Sequence, residues 1–207
     1  SRLTPGSLLE PSVVGFDPHK AGLDGHVVII GYGLNGRNLT KVLRRTGVPY
    51  VVLELNAEAV RTAAEEGEPV VYGDATRREV LHHVGLERAR ILVLAISDPA
   101  ATRHTVSLGR QMNPGIHIIV RTRYMTEMPD LRELGADEVI PEEFETSIEI
   151  FSRVLREYGI ARNVIQRQVE AIRGESYEML RAPSLPMIDM AKLSDALGSA
   201  STETVQV

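Results

Sequence analysis

The 207-residue chain contains no cysteine. Disulfides, thiolate metal sites and cysteine nucleophiles are therefore excluded. It also lacks an excess of positive charge, with 23 Lys and Arg against 28 Asp and Glu. A nucleic-acid binder needs a basic face, so that class is set aside. Lysine is scarce, present as Lys20, Lys41 and Lys192 alone, and no Tyr-x-x-x-Lys pair occurs. No apolar run approaches the roughly 18 residues of a membrane helix. The six histidines show no metal-ligand spacing. His82 and His83, adjacent on an expected helix, point about 100° apart and do not readily share a metal. The length suits one good-sized domain with appendages or two small ones, and one core large enough to fold without staples.

What is present centres on His26 to Glu54. Val27 to Ile30 is a β-branched apolar run ending at glycine, read as a buried strand. Gly31-Tyr32-Gly33-Leu34-Asn35-Gly36 follows, and Leu39, Val42 and Leu43 then recur at helical spacing until Gly47. A second β-branched run, Val51 to Leu53, ends at Glu54. Strand, GxGxxG, helix, strand and acid form the pattern of a dinucleotide site. The glycines serve the turn, the approach of a phosphate and the packing of helix on sheet. Free N–H groups and the macrodipole at the helix start favour an anion. Glu54 stands where a carboxylate accepts from ribose hydroxyls, and it would repel a 2′-phosphate, favouring NAD or an adenine nucleotide over NADP. The bland alternative is the same fold with a degenerate pocket.

Further on, Asn56 is an expected N-cap for a helix through Glu66, with Val60, Ala63 and Ala64 inward and Gly67 as terminator. Val70 to Tyr72 is a third strand. Thr76-x-x-Glu79 reads as a capping box into a helix bearing Val80, Leu81 and Val84. Asp74, at a strand end on the ligand edge, is read either as a ligand contact or as the cap of its own turn. Ile91 to Ile96 is a fourth strand, continuously apolar as a central parallel strand should be. Asp98 and Pro99 begin a helix with Ala101, Leu108 and Met112 inward. His117 to Val120 is the fifth strand, ending in Arg121. A short helix at Pro129 to Leu134 and a sixth strand at Glu138 to Ile140 follow. The alternation predicts a parallel sheet with helices on both faces. From Glu143 it ends. Ile148, Phe151, Val154, Leu155 and Tyr158, then Ile160, Val164, Ile165, Val169 and Ile172, fall at helical spacing with no strand left to cover.

In order and spacing, GYGLNGRN, VVLELN, VYGDATR, ILVLAISDP, IIVRTR and LGADEVIPEE resemble the RCK-type domain of potassium channels and transporters. That domain is also called KTN, or the Trk-type nucleotide-binding domain. The match over residues 26–172 is greatest to the cytoplasmic tail of Kef-type monovalent cation:proton antiporters. The resemblance implies an α/β fold: a Rossmann-like doubly wound six-stranded parallel sheet with C-terminal dimerisation helices. It implies a regulatory sensor, not an enzyme, that binds NAD(H) or an adenine nucleotide (AMP, ADP or ATP) and gates transport. It places the phosphate loop on Gly31, Gly33, Asn35 and Gly36, with Tyr32 and Leu34 inside it. The ribose acid falls on Glu54, beside Leu55. Asp74, Ala75 and Thr76 fall beside the base or its ribose, and Ala95 lies at the ligand edge. Arg121 is read as facing the phosphates, or else as a surface arginine at a strand end. Tyr32 is read as stacking on a ligand or facing solvent. Glu54 where aspartate is frequent, and Asn56 where a second acid is common, leave the nucleotide open.

The domain expectation is a linker over residues 1–25 from a membrane domain. It continues with the nucleotide-binding domain over 26–142, a helical dimerisation segment over 143–173, and a linker over 174–207 into a C-terminal companion. The apolar Met187 to Leu197 and the strand-like Glu203 to Val207 fall in that last part. Expected partners are a second copy and a covalently attached transmembrane transport domain, with no nucleic acid. The expected location is the cytoplasmic face of the cell membrane, with this piece itself soluble. The competing reading is a small NAD-dependent oxidoreductase. That would need a substrate pocket with a proton-transfer group held against the nicotinamide.

Overall fold

The computed structural model describes residues 16–18 and 21–179. Most of the lead-in, Met187 to Leu197 and Glu203 to Val207 lie outside them. The chain divides after Val154 into two compact units. The first holds a six-stranded sheet: β1 (Val27–Ile30), β2 (Tyr50–Glu54), β3 (Val70–Tyr72), β4 (Ile91–Leu94), β5 (His117–Thr122) and β6 (Glu138–Pro141). Its order is β3-β2-β1-β4-β5-β6 and every pairing is parallel. The order reverses direction beside β1, which puts the switch point between β1 and β4, where ligands of such sheets bind.

Helices α1 (Leu34–Thr46), α2 (Ala57–Glu65), α3 (Arg78–His83), α4 (Pro99–Met112) and α5 (Met128–Glu133) connect the strands. Local chemistry sets most of their ends. Gly47 closes α1 in the left-handed region at φ 71°. Asn56 caps α2 by accepting from the N–H groups of Glu58 and Ala59, and Asp98 caps α4 through Ala100 and Ala101. The expected capping box at Thr76 and Glu79 does not form. Asp74 Oδ1 accepts from both the N–H and the hydroxyl of Thr76, at 2.9 and 2.7 Å. The resulting turn delays α3 to Arg78, which starts after Arg77 with no side-chain cap.

One sheet face carries Val27, Ile29, Tyr50, Val52 and Val70, packed with Leu39 and Leu43 of α1 and Val60 and Ala63 of α2. Val42, expected inward, is exposed. The opposite face meets α3 and α4. A Cβ on Gly109 of α4 would lie 2.7 Å from the tip of the Leu92 side chain, so the helix sits close on the sheet there. The buried side of α4 is Thr102, Thr105, Val106, Leu108 and Gly109. Ala101 and Met112 are only partly covered. Continuous burial holds for β1 and most of β2, but β4 and β5 alternate between buried and half-buried residues.

At the sheet edge away from the switch point, Arg110 ties the ends of three elements. Its guanidinium donates to the carbonyls of Gly135, Pro114 and Ile116 at 2.8, 2.8 and 2.7 Å, and to Asp137 at 2.6 Å. Beyond β6, α6 runs Glu142–Glu157 and exposes Ile150 and Val154. In the second unit, α7 runs Arg162–Met179 and so continues past residue 173. Among the described residues, no helix is long and apolar enough to cross a membrane.

Candidate functional site

The C-terminal strand ends are laced into a rim. The N–H of Gly31 donates to Leu53 O, that of Gly73 to Glu54 O and that of Ala95 to Ile30 O, at 2.9, 3.0 and 2.9 Å. Gly31, Glu54, Asp74 and Ala95 therefore stand on one edge of the sheet. Gly36 is fixed sterically, since a Cβ there would lie 2.1 Å from the carbonyl oxygen of Gly31. Gly31 itself sits at φ 101°, where other residues are strained. A Cβ on Gly33 would meet nothing within 4 Å. Gly33 is the N-cap of α1 and offers no side-chain cap. The first N–H groups of this thirteen-residue helix thus have no intrahelical partner and point into the space beside Gly33. This cradle fits a phosphate.

Glu54 closes the cradle on the β2 side. Its Oε2 accepts from the N–H of Tyr32 at 2.6 Å and its Oε1 from that of Asn56 at 2.7 Å. The carboxylate is thereby held at the strand end with lone pairs left for further donors. Leu34 and Leu55 are exposed on the rim, while Ala75 is buried and accepts from the Thr105 hydroxyl at 3.3 Å. Asp74 caps its own turn through Thr76.

Tyr32 overturns both expectations for its ring. It is 2% exposed and turned into the core, where its hydroxyl donates to Glu66 at 2.6 Å. Arg37 stacks over it, 5.3 Å from the ring centre. Burial, with the Glu66 bond second, pushes the Tyr32 hydroxyl well above the ordinary tyrosine range. The loop presents its backbone here, and the side chain anchors it to the end of α2.

Arg121 lies inside β5 rather than after it, and its fork holds a carboxylate. Nε donates to Glu142 Oε1 and Nη2 to Glu142 Oε2, both at 2.5 Å. Nη1 donates to Ile96 O at 3.1 Å and to Ser97 Oγ at 2.8 Å. Glu142, at the start of α6, lines the same opening as Asn35 of α1, whose side chain helps favour its charged form. The bonds from Arg121, more than any other influence, hold the Glu142 carboxyl below the usual carboxylate range against partial desolvation. Arg121 and Glu142 stand between two openings. One, about 470 Å³, is lined by Ser97, Thr102, Arg103 and Tyr124 among others. The other, about 940 Å³, lies along Asn35, Leu39, Val93, Ile119, Ile140 and Ile150. Sequence reasoning missed Glu142. Its only signal was a place in the quoted LGADEVIPEE segment. Among the described residues, no His, Asp and Glu group is suited to a metal ion.

The chain resembles several known proteins over this region. A protein assigned as K(+) efflux antiporter KefB of Alkalimonas amylolytica is 34% identical over 196 residues, or 93% of this chain and 30% of the antiporter. The chain thus spans less than a third of that relative's length. The TrkA-N domain of the inner membrane protein ybaL from Escherichia coli is 31% identical, with a TM-score of 0.60 over 62% of this chain and 96% of that one. The GsuK channel bound to NAD is 26% identical, with a TM-score of 0.56 over 64% of this chain and 23% of that one. GsuK is also known bound to ADP, again 26% identical, with a TM-score of 0.55 over 64% of this chain and 34% of that one. The family model described as the TrkA-N domain matches residues 27–142. Those residues hold the whole sheet, the glycine cradle, Glu54 and the Arg121–Glu142 pair: the chain belongs to the TrkA-N domain family.

Proposed function

We propose that this chain is the regulatory nucleotide-binding domain of a potassium or other monovalent cation transport protein of the Kef antiporter or channel type. It binds NAD(H) or an adenine nucleotide (AMP, ADP or ATP) at the cradle and gates transport. The observation that carries this reading is the uncapped start of α1 over Gly33, with Glu54 pinned beside it by the Tyr32 N–H. GsuK, known bound to NAD and bound to ADP, supports the ligand class. The N–H groups of Leu34, Asn35 and Gly36 hold the phosphate, and Glu54 accepts from ribose hydroxyls. Asp74, Ala75, Thr76 and Leu55 border the base, and Ala95 and Arg121 border the phosphate end. Such a ligand would supply binding energy, not chemistry. The scarcity of lysine and the lack of a Tyr-x-x-x-Lys pair support a non-enzymatic role over the oxidoreductase reading.

The domain acts as a homodimer through residues 143–173 and is joined to a transmembrane transport domain at the cytoplasmic face of the membrane. The open apolar groove and the exposed Ile150 and Val154 of α6 support the dimer. Gating follows if the nucleotide prefers one arrangement of the two copies, since only differential affinity shifts a population.

A thermal-shift series with NAD, NADH, AMP, ADP and ATP tests this reading. At least one should raise the melting temperature of the wild type. Glu54→Ala should lower the affinity for that ligand about tenfold or more. A well-folded wild type that responds to none of the five would overturn the sensor assignment.

A further inference from the structure

We propose that Glu142 is a resident anion of the nucleotide site, occupying the guanidinium fork of Arg121 until the phosphate end of a ligand displaces it. This rests on the nucleotide reading above and concerns which nucleotide the site prefers and how it reports binding.

The geometry leaves Arg121 almost no spare capacity. A guanidinium has five N–H donors in a fixed fork. Two go to the Glu142 carboxylate, and two more from Nη1 go to Ile96 O and Ser97 Oγ. A phosphate cannot take the bidentate position while Glu142 holds it, because carboxylate and phosphate match the same two donors.

The placement brings this competition to the glycine loop. Asn35, in the first turn of α1, lines the same opening as Arg121 and Glu142. Ile96, whose carbonyl Arg121 holds, packs so closely on Gly31 that a Cβ there would lie 2.9 Å from its side chain. The Glu142 carboxylate is therefore one side chain away from the cradle where the phosphate is expected. It is 39% exposed, so it has room to swing out toward water.

Two consequences follow. The carboxylate repels each further phosphate charge extended toward β5, so the wild-type site favours a ligand with little charge at that end. And because Glu142 is the first residue of α6, displacing it removes the side-chain tie between that helix and β5, leaving the bond from the Glu143 N–H to Arg123 O. A ligand that reaches Arg121 thus alters the start of α6. A shorter one does not.

The test is a calorimetric titration of AMP, ADP and ATP, each with a chelator present, into the wild type and Glu142→Gln. Glutamine keeps the size and a hydrogen bond to Arg121 but removes the charge. Glu142→Gln should tighten ATP about tenfold, ADP less and AMP least. Glu138→Gln removes a charge at the opposite sheet edge, where Glu138 meets His117, and should leave all three unchanged. An equal gain for all three nucleotides in Glu142→Gln, a loss of affinity, or the same ladder in Glu138→Gln would overturn the proposal while the nucleotide reading stands. Absence of binding to both wild type and Glu142→Gln would overturn the nucleotide reading itself, and this proposal with it.

Discussion

One row of side chains crosses the whole sheet in register: Val70, Val52, Ile29, Val93, Ile119 and Glu138. Along it Val70, Val52 and Ile29 are completely buried, Val93 and Ile119 are half-buried and Glu138 is exposed. Until Glu138 the residue types barely change. The cover does. Over β1 to β3 this face lies under α1 and α2, whereas over β4 to β6 it opens into the groove bordered by α6. Closed packing on one side holds the cradle rigid. On the other side, apolar area still exposed to water is stabilisation that a partner can supply. The domain is thus closed over β1 to β3 and open over β4 to β6.

The largest expected effect tests the gradient directly. Ile29→Ala, beneath α1, should cost about 3 kcal/mol of unfolding free energy, whereas Ile119→Ala should cost about 1 kcal/mol. Denaturant titrations of dilute protein compare them, and equal costs would erase the distinction between the halves. Next in size is the effect on self-association. Ile140→Ser combined with Ile150→Ser should weaken the dimer roughly tenfold or more in sedimentation. The same pair should change the stability of the separated chain by only about 0.5 kcal/mol. A dimer of undiminished affinity would move the seam away from the open groove.

The smallest effect sharpens the closed side. His26 is fully buried below β1, with Nε2 2.9 Å from the Val84 carbonyl and Nδ1 without a partner. Burial chiefly, with Arg88 adding, lowers its pKa from 6.5, although the Val84 carbonyl and Asp24 pull the other way. Its folded pKa is lowered, so the unfolded chain takes up the proton first. Stability is therefore full above about pH 6.5 and falls as the pH drops below it, by at most about 1.4 kcal/mol per pH unit. His26→Gln should flatten the melting temperature between pH 7 and 5.5. An unchanged slope would assign the acid sensitivity to other groups.

The six strands, the glycine loop and the placement of Glu54 were legible because each rests on a local signal: β-branched runs, an obligatory glycine, an acid at a strand end. The Asn56 and Asp98 caps were legible for the same reason. What escaped depended on competition between neighbours or on distant partners. Thr76 carries the right spacing for a capping box, but Asp74 two residues earlier takes its hydrogen bonds. Tyr32 sits inside the glycine loop, yet its partner is Glu66, and nothing local announces that its ring turns inward. Arg121 was recognisable as an anion holder. The anion it holds belongs to the chain itself, twenty-one positions on. Periodicity likewise could not tell that β4, as apolar as β1, would be only half-buried on one of its faces.

The Arg110 clamp gives the sheet a mechanical polarity. Most of its bonds go to the backbone carbonyls of Pro114 and Ile116, before β5, and of Gly135, after α5. At the far end of the same two strands, Arg121 holds a side chain that another anion can replace. Strands β5 and β6 are thus fastened at one end by backbone carbonyls and at the other by a side-chain pair.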